Sequence, residues 1–350
     1  MKILLEILHG LGDTVCSLAM LDLLRKTYPD AYIMVLVKST AGKEIVEASH
    51  ISVDEILVWD IYKDIKKSAD IFLKLRCMRF DYGVSNSITP VKKAYLFMKV
   101  IRPKKWIGWQ TKGICFDLLH DQMHFTEANL RAIEEICTIP EKPGYPKLYV
   151  EEECVRKLAE KLTLCKGHPV VGVCIGDADY SLKNRFLRTG KVYTRSWGIS
   201  HMIELIEKLI AVGTEVILFG GKAEIPLRDA VYNKIGTYEA MHDFVGKTTI
   251  MESMALASFC DVVFGVDTGM QHIASAVGTP TVSVFGPTNP KTHGAYSENA
   301  RFLTASSVCP LQYCYGTKNY VQCPNNRCCL QEISVERAFE EVKKSLDVPV

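Results

Sequence analysis

The chain has 350 residues, enough for about two domains that each bury their own core. Its 48% hydrophobic and 23% charged residues are typical of a globular protein, and the formal net charge of +2 gives no reason to expect nucleic acid. No uninterrupted apolar run approaches the roughly 20 residues that cross a bilayer. Glu6 interrupts the apolar start and no small-residue cleavage site follows, so we expect a first strand and a cytoplasmic protein.

The first half of the sequence alternates apolar strand-type runs with helical patterns. Strands are predicted at the segments KILLEIL, YIMVLV, EILVW and YGVSNSI, and helices over residues 14–28, 41–48, 64–78 and 91–100. The segment KWIGW and a helix over residues 127–137 complete this half. A proline-rich stretch from Pro140 to Pro146 follows and predicts a linker.

The second half repeats the alternation of strand and helix. Strands are predicted at PVVGVCIG, TEVILFGG, DFVG, DVVFGV and TVSVF, and helices over 201–212, 227–235, 251–259, 268–277 and 334–346. Such alternation predicts an α/β fold with two Rossmann-like, doubly wound parallel-sheet domains, residues 1–150 and 151–333. We expect ligands at the carboxyl ends of the strands, in a cleft between the domains, and the last helix to pack back on the first domain.

The segment DVVFGVDTGMQHIASAVGTPTVSVFGPTNP has the pattern of a phosphate-binding βα unit. An apolar strand stops at Asp267-Thr268-Gly269, and a short helix and a second strand follow. The positive end of the helix dipole and its free N–H groups would face a ligand above this turn, where Thr268 and His272 add contacts. An ordinary glycine-containing turn remains the alternative interpretation.

A second turn, Gly10-Leu11-Gly12-Asp13-Thr14, follows the first strand. It begins like a dinucleotide fingerprint, but Val15 occupies the place of the third glycine. A carboxylate at Asp13 would also repel a pyrophosphate at the helix start. The pattern leaves two roles for Asp13: a helix N-cap, or a carboxylate that accepts a proton from a hydroxyl in the cleft.

Five of the thirteen cysteines crowd together near the end of the chain. They are Cys309, Cys314, Cys323, Cys328 and Cys329. The cluster could staple a loop or bind zinc, with Cys309, Cys314, Cys323 and Cys328 as candidate ligands, but its spacing matches no standard zinc knuckle. We favour structural thiols or a disulfide over a metal site.

Two basic segments each allow two interpretations. A loop between Gly176 and Trp197 is either a solvated excursion or a mobile lid over a diphosphate; its basic residues are Lys183, Arg185, Arg188, Lys191 and Arg195. A second patch contains Lys92, Lys93, Lys99, Arg102, Lys104 and Lys105 beside Trp106 and Trp109. This patch could hold an anionic lipid-linked saccharide at a membrane. We favour the interpretation that it is the solvent-exposed face of a helix whose Tyr95, Leu96 and Val100 pack inward.

The two turns and the tail together resemble glycosyltransferase family 9, the heptosyltransferase-like enzymes of the GT-B fold. The resemblance is carried by LGDTVCSLAMLDLLRKTYPDAYI, RSWGISHMIELIEKL, DTGMQHIASAVGTP followed by FGPT, and CLQEISVERAFEEV. It implies a nucleotide-sugar donor such as ADP-heptose, inverting transfer to a hydroxyl of a lipopolysaccharide-type or other cell-surface glycan, and no required metal or cofactor. It also implies a cytoplasmic protein with possible peripheral contact with the inner membrane.

The resemblance assigns roles to particular residues of both halves. Asp13 matches the general base, and the acceptor side would include Gly12, Thr14, Lys92, Lys93 and Lys105. On the donor side the matching residues are Asp267 for the sugar hydroxyls, Thr268 and Gly269 for the diphosphate, His272 for both, Arg195 in place of a phosphate-binding lysine, Glu224 for the ribose and Thr249 for the base. A transferase that uses another nucleotide sugar or a protein acceptor, and a non-catalytic nucleotide-sugar-binding protein, remain alternatives.

Overall fold

The computed structural model describes residues 1–60, 65–114, 123–176, 195–305, 309–321 and 323–346. The chain divides into two compact units, Met1–Tyr149 and Val150–Val350. The division follows the proline-rich stretch that predicted a linker.

The first unit contains a parallel sheet in which helices connect successive strands. Its strands are β1 (Lys2–Ile7), β2 (Tyr32–Val37), β3 (Glu55–Val58), β4 (Tyr82–Ser85) and β5 (Lys105–Ile107). Its helices are α1 (Leu11–Thr27), α2 (Thr40–Ala48), α3 (Ile65–Cys77), α4 (Val91–Ile101) and α5 (Phe125–Arg131), with a 3₁₀ turn at Trp109–Lys112. Within the described residues the strand order is β3-β2-β1-β4-β5, with all pairs parallel.

The second unit repeats this plan with a larger parallel sheet. Its strands are β6 (Val170–Cys174), β7 (Glu215–Phe219), β8 (Met241–Asp243), β9 (Val262–Val266), β10 (Thr281–Phe285) and β11 (Ala300–Thr304). Its helices are α6 (Glu152–Ala159), α7 (Ile199–Ala211), α8 (Ile225–Ile235), α9 (Ile250–Ser258), α10 (Gly269–Ala276), α11 (Pro290–His293), α12 (Lys318–Val321), α13 (Cys328–Gln331) and α14 (Val335–Leu346), with a 3₁₀ turn at Lys222–Glu224. The described strands are ordered β11-β10-β9-β6-β7-β8, again all parallel.

The central strands are buried on both faces because helices cover the two sides of each sheet. In β6, β7, β9 and β10 every residue is buried. This burial explains why β6 and β9 are continuous apolar runs, whereas β10 also buries the hydroxyl side chains of Thr281 and Ser283. The predicted α/β fold with two doubly wound parallel sheets is confirmed. None of the helices in the described ranges has the length and apolar character to cross a membrane.

Some predicted elements are displaced. The strand predicted at DFVG is wrong, because β8 ends at Asp243. The carboxylate of Asp243 accepts a hydrogen bond from the Val245 N–H at 2.9 Å, which turns the chain, and Gly246 adopts a φ of +71°. The helix predicted over residues 127–137 begins earlier, at Phe125, and ends at Arg131.

The inward face of α4 also differs from the expectation. Tyr95 and Leu96 were expected to pack inward, but they are 57% and 64% exposed. The buried residues of this helix are Ala94, Phe97, Met98 and Ile101. The helix therefore presents an apolar pair to solvent beside its lysines.

The last helix, α14, packs in the second unit rather than back on the first as expected. Its apolar face, which includes Ala338, Phe339 and Val342, belongs to the buried core around β9, β10 and α7. At its start the ammonium group of Lys208 on α7 contacts the Glu336 carboxylate at 2.7 Å. The burial of this apolar stripe explains why α14 belongs to the second unit.

Candidate functional site

The candidate donor residues lie at one edge of the second sheet. Asp267 and Thr268 follow β9, Glu224 follows β7 and Thr249 follows β8. Because β9, β6, β7 and β8 are adjacent parallel strands, their carboxyl ends meet at the same edge. The Glu224 side chain lies against the backbone just after β6, since a Cβ at Gly176 would collide with it.

The carboxylate of Asp267 is the centre of a buried polar cluster. Arg195 Nη1 lies 3.2 Å from Asp267 Oδ2, and the side chains of the pair are only 16% and 10% exposed. The Thr288 hydroxyl donates to the same oxygen at 2.8 Å. Arg195 therefore has its guanidinium direction fixed by a charge-assisted hydrogen bond.

Nearby positive charge keeps Asp267 ionised. Burial opposes ionisation, but Arg195, His293 and His272, together with the Thr288 hydroxyl, hold the pKa of Asp267 below its ordinary value. Asp267 is thus an internal counter-ion of Arg195, in addition to any contact with a sugar.

Three residues of this cluster were not singled out from the sequence. Thr288 and His293 follow β10, and Tyr315 lies further along the chain. The Arg195 guanidinium lies 5.8 Å from the centre of the Tyr315 ring, which also meets the His293 ring edge to face at 5.3 Å. The FGPT motif contained Thr288, but no local pattern indicated His293 or Tyr315.

Thr268 is the N-cap of α10, and Gly269 is its first helical residue. The Thr268 hydroxyl is buried and makes no hydrogen bond within the described residues. The first turn of α10 contains no acidic residue, and His272 is buried on the same helix. This helix start combines a positive dipole end with an unused hydroxyl, which suits an anion.

Glu224 is held in the 3₁₀ turn by its own loop. Its Oε2 accepts a hydrogen bond from the Gly221 N–H at 2.7 Å. Burial raises the pKa of Glu224 despite that bond. A carboxyl group fixed in this way can accept hydrogen bonds from a hydroxyl pair such as that of a ribose.

Thr249 has a local structural role. It is the N-cap of α9, and its Oγ1 accepts a hydrogen bond from the Glu252 N–H at 3.2 Å. The Glu252 carboxylate accepts in return from the Thr249 N–H at 2.8 Å. This capping box occupies the hydroxyl of a residue that the family resemblance places at the base pocket.

In the first unit, Asp13 lies in the first turn of α1 instead of at its N-cap. Gly10 is the N-cap, and its N–H donates to Asp13 Oδ2 at 2.9 Å. Thr14 is buried and its hydroxyl donates to the Gly10 carbonyl at 2.9 Å. Gly12 is partly exposed beside Asp13. The structure thus fixes the direction of one carboxylate and gives Thr14 an internal role.

A polar chain beside Asp13 was missed in the sequence. Glu6 is buried in β1, and its Oε2 accepts a hydrogen bond from the Thr89 hydroxyl at 2.7 Å. Since Thr89 donates there, it accepts from His9 Nε2, also at 2.7 Å. Burial lowers the pKa of His9, so the ring is neutral near pH 7 and its Nδ1 is an acceptor. The sequence feature that could have revealed this chain is Glu6, a charged residue inside an otherwise apolar strand.

The acceptor-side lysines do not form one cluster. Lys93 is partly buried and acts electrostatically on His9, near Asp13. Lys92 is exposed on α4. Lys105 begins β5, at the opposite edge of the sheet from Asp13, and its Nζ contacts Glu135 at 2.7 Å. Of the three, the structure connects only Lys93 with the Asp13 region.

The cysteines near the end of the chain are free thiols in the described residues. Burial would raise the pKa of Cys309, but hydrogen bonds from Asn325, Leu311 and Cys328 lower it. In the described ranges no three of these sulfur atoms lie within 4.8 Å of one another, so they do not form a metal-ligand group. The described structure contains no disulfide among the five, Cys309, Cys314, Cys323, Cys328 and Cys329, and agrees with the structural-thiol interpretation. Four basic residues of the loop interpreted either as a solvated excursion or as a lid, Lys183, Arg185, Arg188 and Lys191, lie outside the described residues.

Replacing Arg195 by Gln should destabilise the second unit by about 3 kcal/mol at pH 7, because it leaves a buried carboxylate with less compensation. The pKa of Asp267 is lower in the folded protein than in the unfolded chain. Its contribution to the free energy of unfolding is therefore complete above the unfolded pKa and is lost as the pH falls through the folded pKa. In the variant the folded pKa of Asp267 should rise, because the guanidinium is gone. The loss of stability on acidification should then begin at a higher pH than in the wild type. Urea unfolding at several pH values measures this.

The matched control is Arg301→Gln, which removes an exposed guanidinium that contacts Glu341 at 3.4 Å. This change should cost only about 0–1 kcal/mol. Equal losses in the two variants at every pH would contradict the buried ion-pair account.

Comparison with known proteins identifies the family. A sequence profile described as glycosyltransferase family 9 (heptosyltransferase) matches residues 74–314. Lipooligosaccharide heptosyltransferase 2 of Haemophilus influenzae is 26% identical over 230 residues, which cover 61% of this chain and 62% of that protein. The chain therefore aligns with less than two thirds of this relative's length.

Two solved structures share the fold over nearly the whole chain. The Escherichia coli ADP-heptose lps heptosyltransferase II is 20% identical with a TM-score of 0.75, covering 99% of this chain and 98% of that one. A family 9 glycosyl transferase from Veillonella parvula is 18% identical with a TM-score of 0.78, covering 99% and 97%. These likenesses confirm the GT-B architecture expected from the sequence. The chain therefore belongs to glycosyltransferase family 9, the heptosyltransferase family.

Proposed function

We propose that this protein transfers a heptose from ADP-heptose to a hydroxyl of a lipopolysaccharide-type saccharide, with inversion at the anomeric carbon. The observation that carries the proposal is the group of polar side chains at the start of α10, which suits an anion. There a fixed guanidinium, Arg195, and a buried hydroxyl without a partner in the described residues, Thr268, belong to one cluster around Asp267. The names of the relatives supply the sugar and the acceptor class.

The donor site would act on the leaving group. As the bond between the anomeric carbon and the phosphate oxygen breaks, negative charge grows on the diphosphate. Arg195, the Thr268 hydroxyl and the first N–H groups of α10 would stabilise that charge without reorganising, because Asp267 already holds the guanidinium. Glu224 would accept hydrogen bonds from the ribose hydroxyls. Thr249, whose hydroxyl caps α9, would contribute its backbone to the base pocket.

Asp13 would accept the proton of the attacking hydroxyl. The acceptor oxygen forms a bond to the anomeric carbon, the nucleoside diphosphate leaves with the bonding electrons, and the proton passes to Asp13. The Gly10 N–H holds one carboxylate oxygen and so directs the other. The His9 ring beside Asp13 is neutral, so it would not form an ion pair with the carboxylate. Its Nδ1 can instead accept a hydrogen bond from the acceptor saccharide.

The variant Asp13→Asn should lower kcat about 10²- to 10⁴-fold, because the amide cannot accept the proton. ADP affinity should stay unchanged, since the substitution is in the first unit and the anion site is in the second. Sugar-transfer assays and calorimetry with ADP measure the two effects.

Asp22→Asn is the matched control, because Asp22 lies on the same helix and contacts only the exposed Lys26 in the described structure. It should retain wild-type turnover. Full activity in Asp13→Asn would rule out the proposed base. A wild-type protein that binds ADP and transfers no sugar would favour the non-catalytic alternative.

We also propose that the exposed face of α4 contacts an anionic membrane that holds the acceptor. Tyr95 and Leu96 are exposed there, and Lys99 Nζ lies 5.7 Å from the centre of the Tyr95 ring. Lys92 and Lys99 would attract anionic headgroups, while the two apolar side chains enter the interface.

Leu96→Ser should therefore reduce co-sedimentation with vesicles that contain anionic lipid, because it removes the apolar contact. Val212→Ser is the matched control, since Val212 is a comparably exposed apolar residue, at 58%, in the second unit. Equal vesicle binding by both variants and the wild type would contradict a docking role for α4.

A further inference from the structure

A histidine, a cysteine and a carboxylate meet at the amino-terminal ends of two strands of the second sheet, away from the candidate donor site. Cys165 and His168 lie in the turn before β6, and Glu215 is the first residue of β7. The donor residues follow the carboxyl ends of these strands. Since the strands are parallel, this cluster lies at the opposite edge of the sheet.

The turn presents two potential ligands on one side. The His168 N–H donates to the Cys165 carbonyl at 3.3 Å, and Gly167 between them has a φ of +82°, which favours glycine. Two residues separate Cys165 from His168, and short spacings of this kind are typical of paired zinc ligands on one turn.

The Cys165 thiol and backbone N–H both hydrogen-bond to the Glu215 carboxylate, so the turn already holds this thiol against the carboxylate. Ligand atoms of Cys165, His168 and Glu215 lie within 4.8 Å of one another. His168 Nδ1 is 3.6 Å from Glu215 Oε1, too long for a hydrogen bond between them. Two ligands of a tetrahedral zinc ion lie roughly 3.3–3.8 Å apart, given metal–ligand bonds of about 2.0–2.3 Å.

The carboxylate is buried and oriented. The Glu215 side chain is 1% exposed, and its Oε2 accepts a hydrogen bond from His242 Nε2 at 2.7 Å. In the described ranges the side chains that pair with Glu215 are those of His168, His242 and Cys165, and no Lys or Arg side chain pairs with it. A buried carboxylate needs such partners, and a ligand carboxylate is commonly oriented by a hydrogen bond of this type.

We propose that Cys165, His168 and Glu215 bind a zinc ion, with His242 as the residue that positions Glu215. A thiolate, an imidazole and a carboxylate together are a ligand set suited to Zn²⁺. Cys165 is exposed and the His168 side chain is 50% exposed, so a water molecule can complete the tetrahedron. The ion joins the turn before β6 to the start of β7 and has a structural role, because the sugar chemistry belongs to the other edge.

The test measures zinc bound to the full chain after chelator treatment and reloading with Zn²⁺ alone. Wild-type protein should bind about one zinc ion per chain at this site, and the double variant Cys165→Ser, His168→Asn should lose it while retaining its circular dichroism spectrum. Cys77→Ser is the matched control, since Cys77 is also an exposed free thiol. Loss of the zinc in a Cys323→Ser, Cys328→Ser variant, with retention in the first double variant, would overturn the proposal.

A second measurement needs no variant and therefore stands if the double variant fails to fold. Zinc should protect Cys165 of the wild type from iodoacetamide, as read from the labelled peptides, while Cys77 reacts equally with and without the metal. Equal labelling of Cys165 in both conditions would overturn the proposal.

Discussion

The buried contact between Asp267 and Arg195 is the interaction on which the candidate donor site depends. A guanidinium at a binding site is useful only if its direction is fixed, and a 3.2 Å contact to a largely buried carboxylate fixes it. Thr288 holds the same carboxylate oxygen, and His272 and His293 add positive charge around it. The positive potential at the start of α10 thus comes from the helix dipole and from Arg195, whose guanidinium is held in place by Asp267.

The two units use the same strand, turn and helix with opposite electrostatics. The first turn of α1 contains Asp13, which accepts a hydrogen bond from the Gly10 backbone. The first turn of α10 contains no acidic residue and begins with a threonine whose hydroxyl has no partner in the described structure. One helix start therefore presents a carboxylate and the other a positive dipole end with an unused hydroxyl, which are the two kinds of group that the proposed displacement would use.

The sequence predicted the α/β architecture because strands buried on both faces leave continuous apolar runs, as β6 and β9 do. It also placed Asp13 and Thr268 at helix starts, because each stands in a recognisable turn, and the family resemblance pointed to Arg195; the roles given to these three residues stay predictions. It failed where contacts join distant residues. The chain from Glu6 through Thr89 to His9, and the position of Tyr315 against Arg195, depend on packing that no local pattern encodes. The face of α4 was misassigned because several helical phases bury apolar residues about equally well.

The most direct test of the central claim is the affinity for ADP of Asp267→Asn relative to the wild type, measured by calorimetry. If Asp267 mattered only as a charge, removing it would make the site more positive and ADP would bind more tightly. The account instead makes Asp267 the residue that orients Arg195, so it predicts affinity at least about tenfold weaker, a loss of about 1.4 kcal/mol. Unchanged or tighter binding of ADP by Asp267→Asn would contradict it.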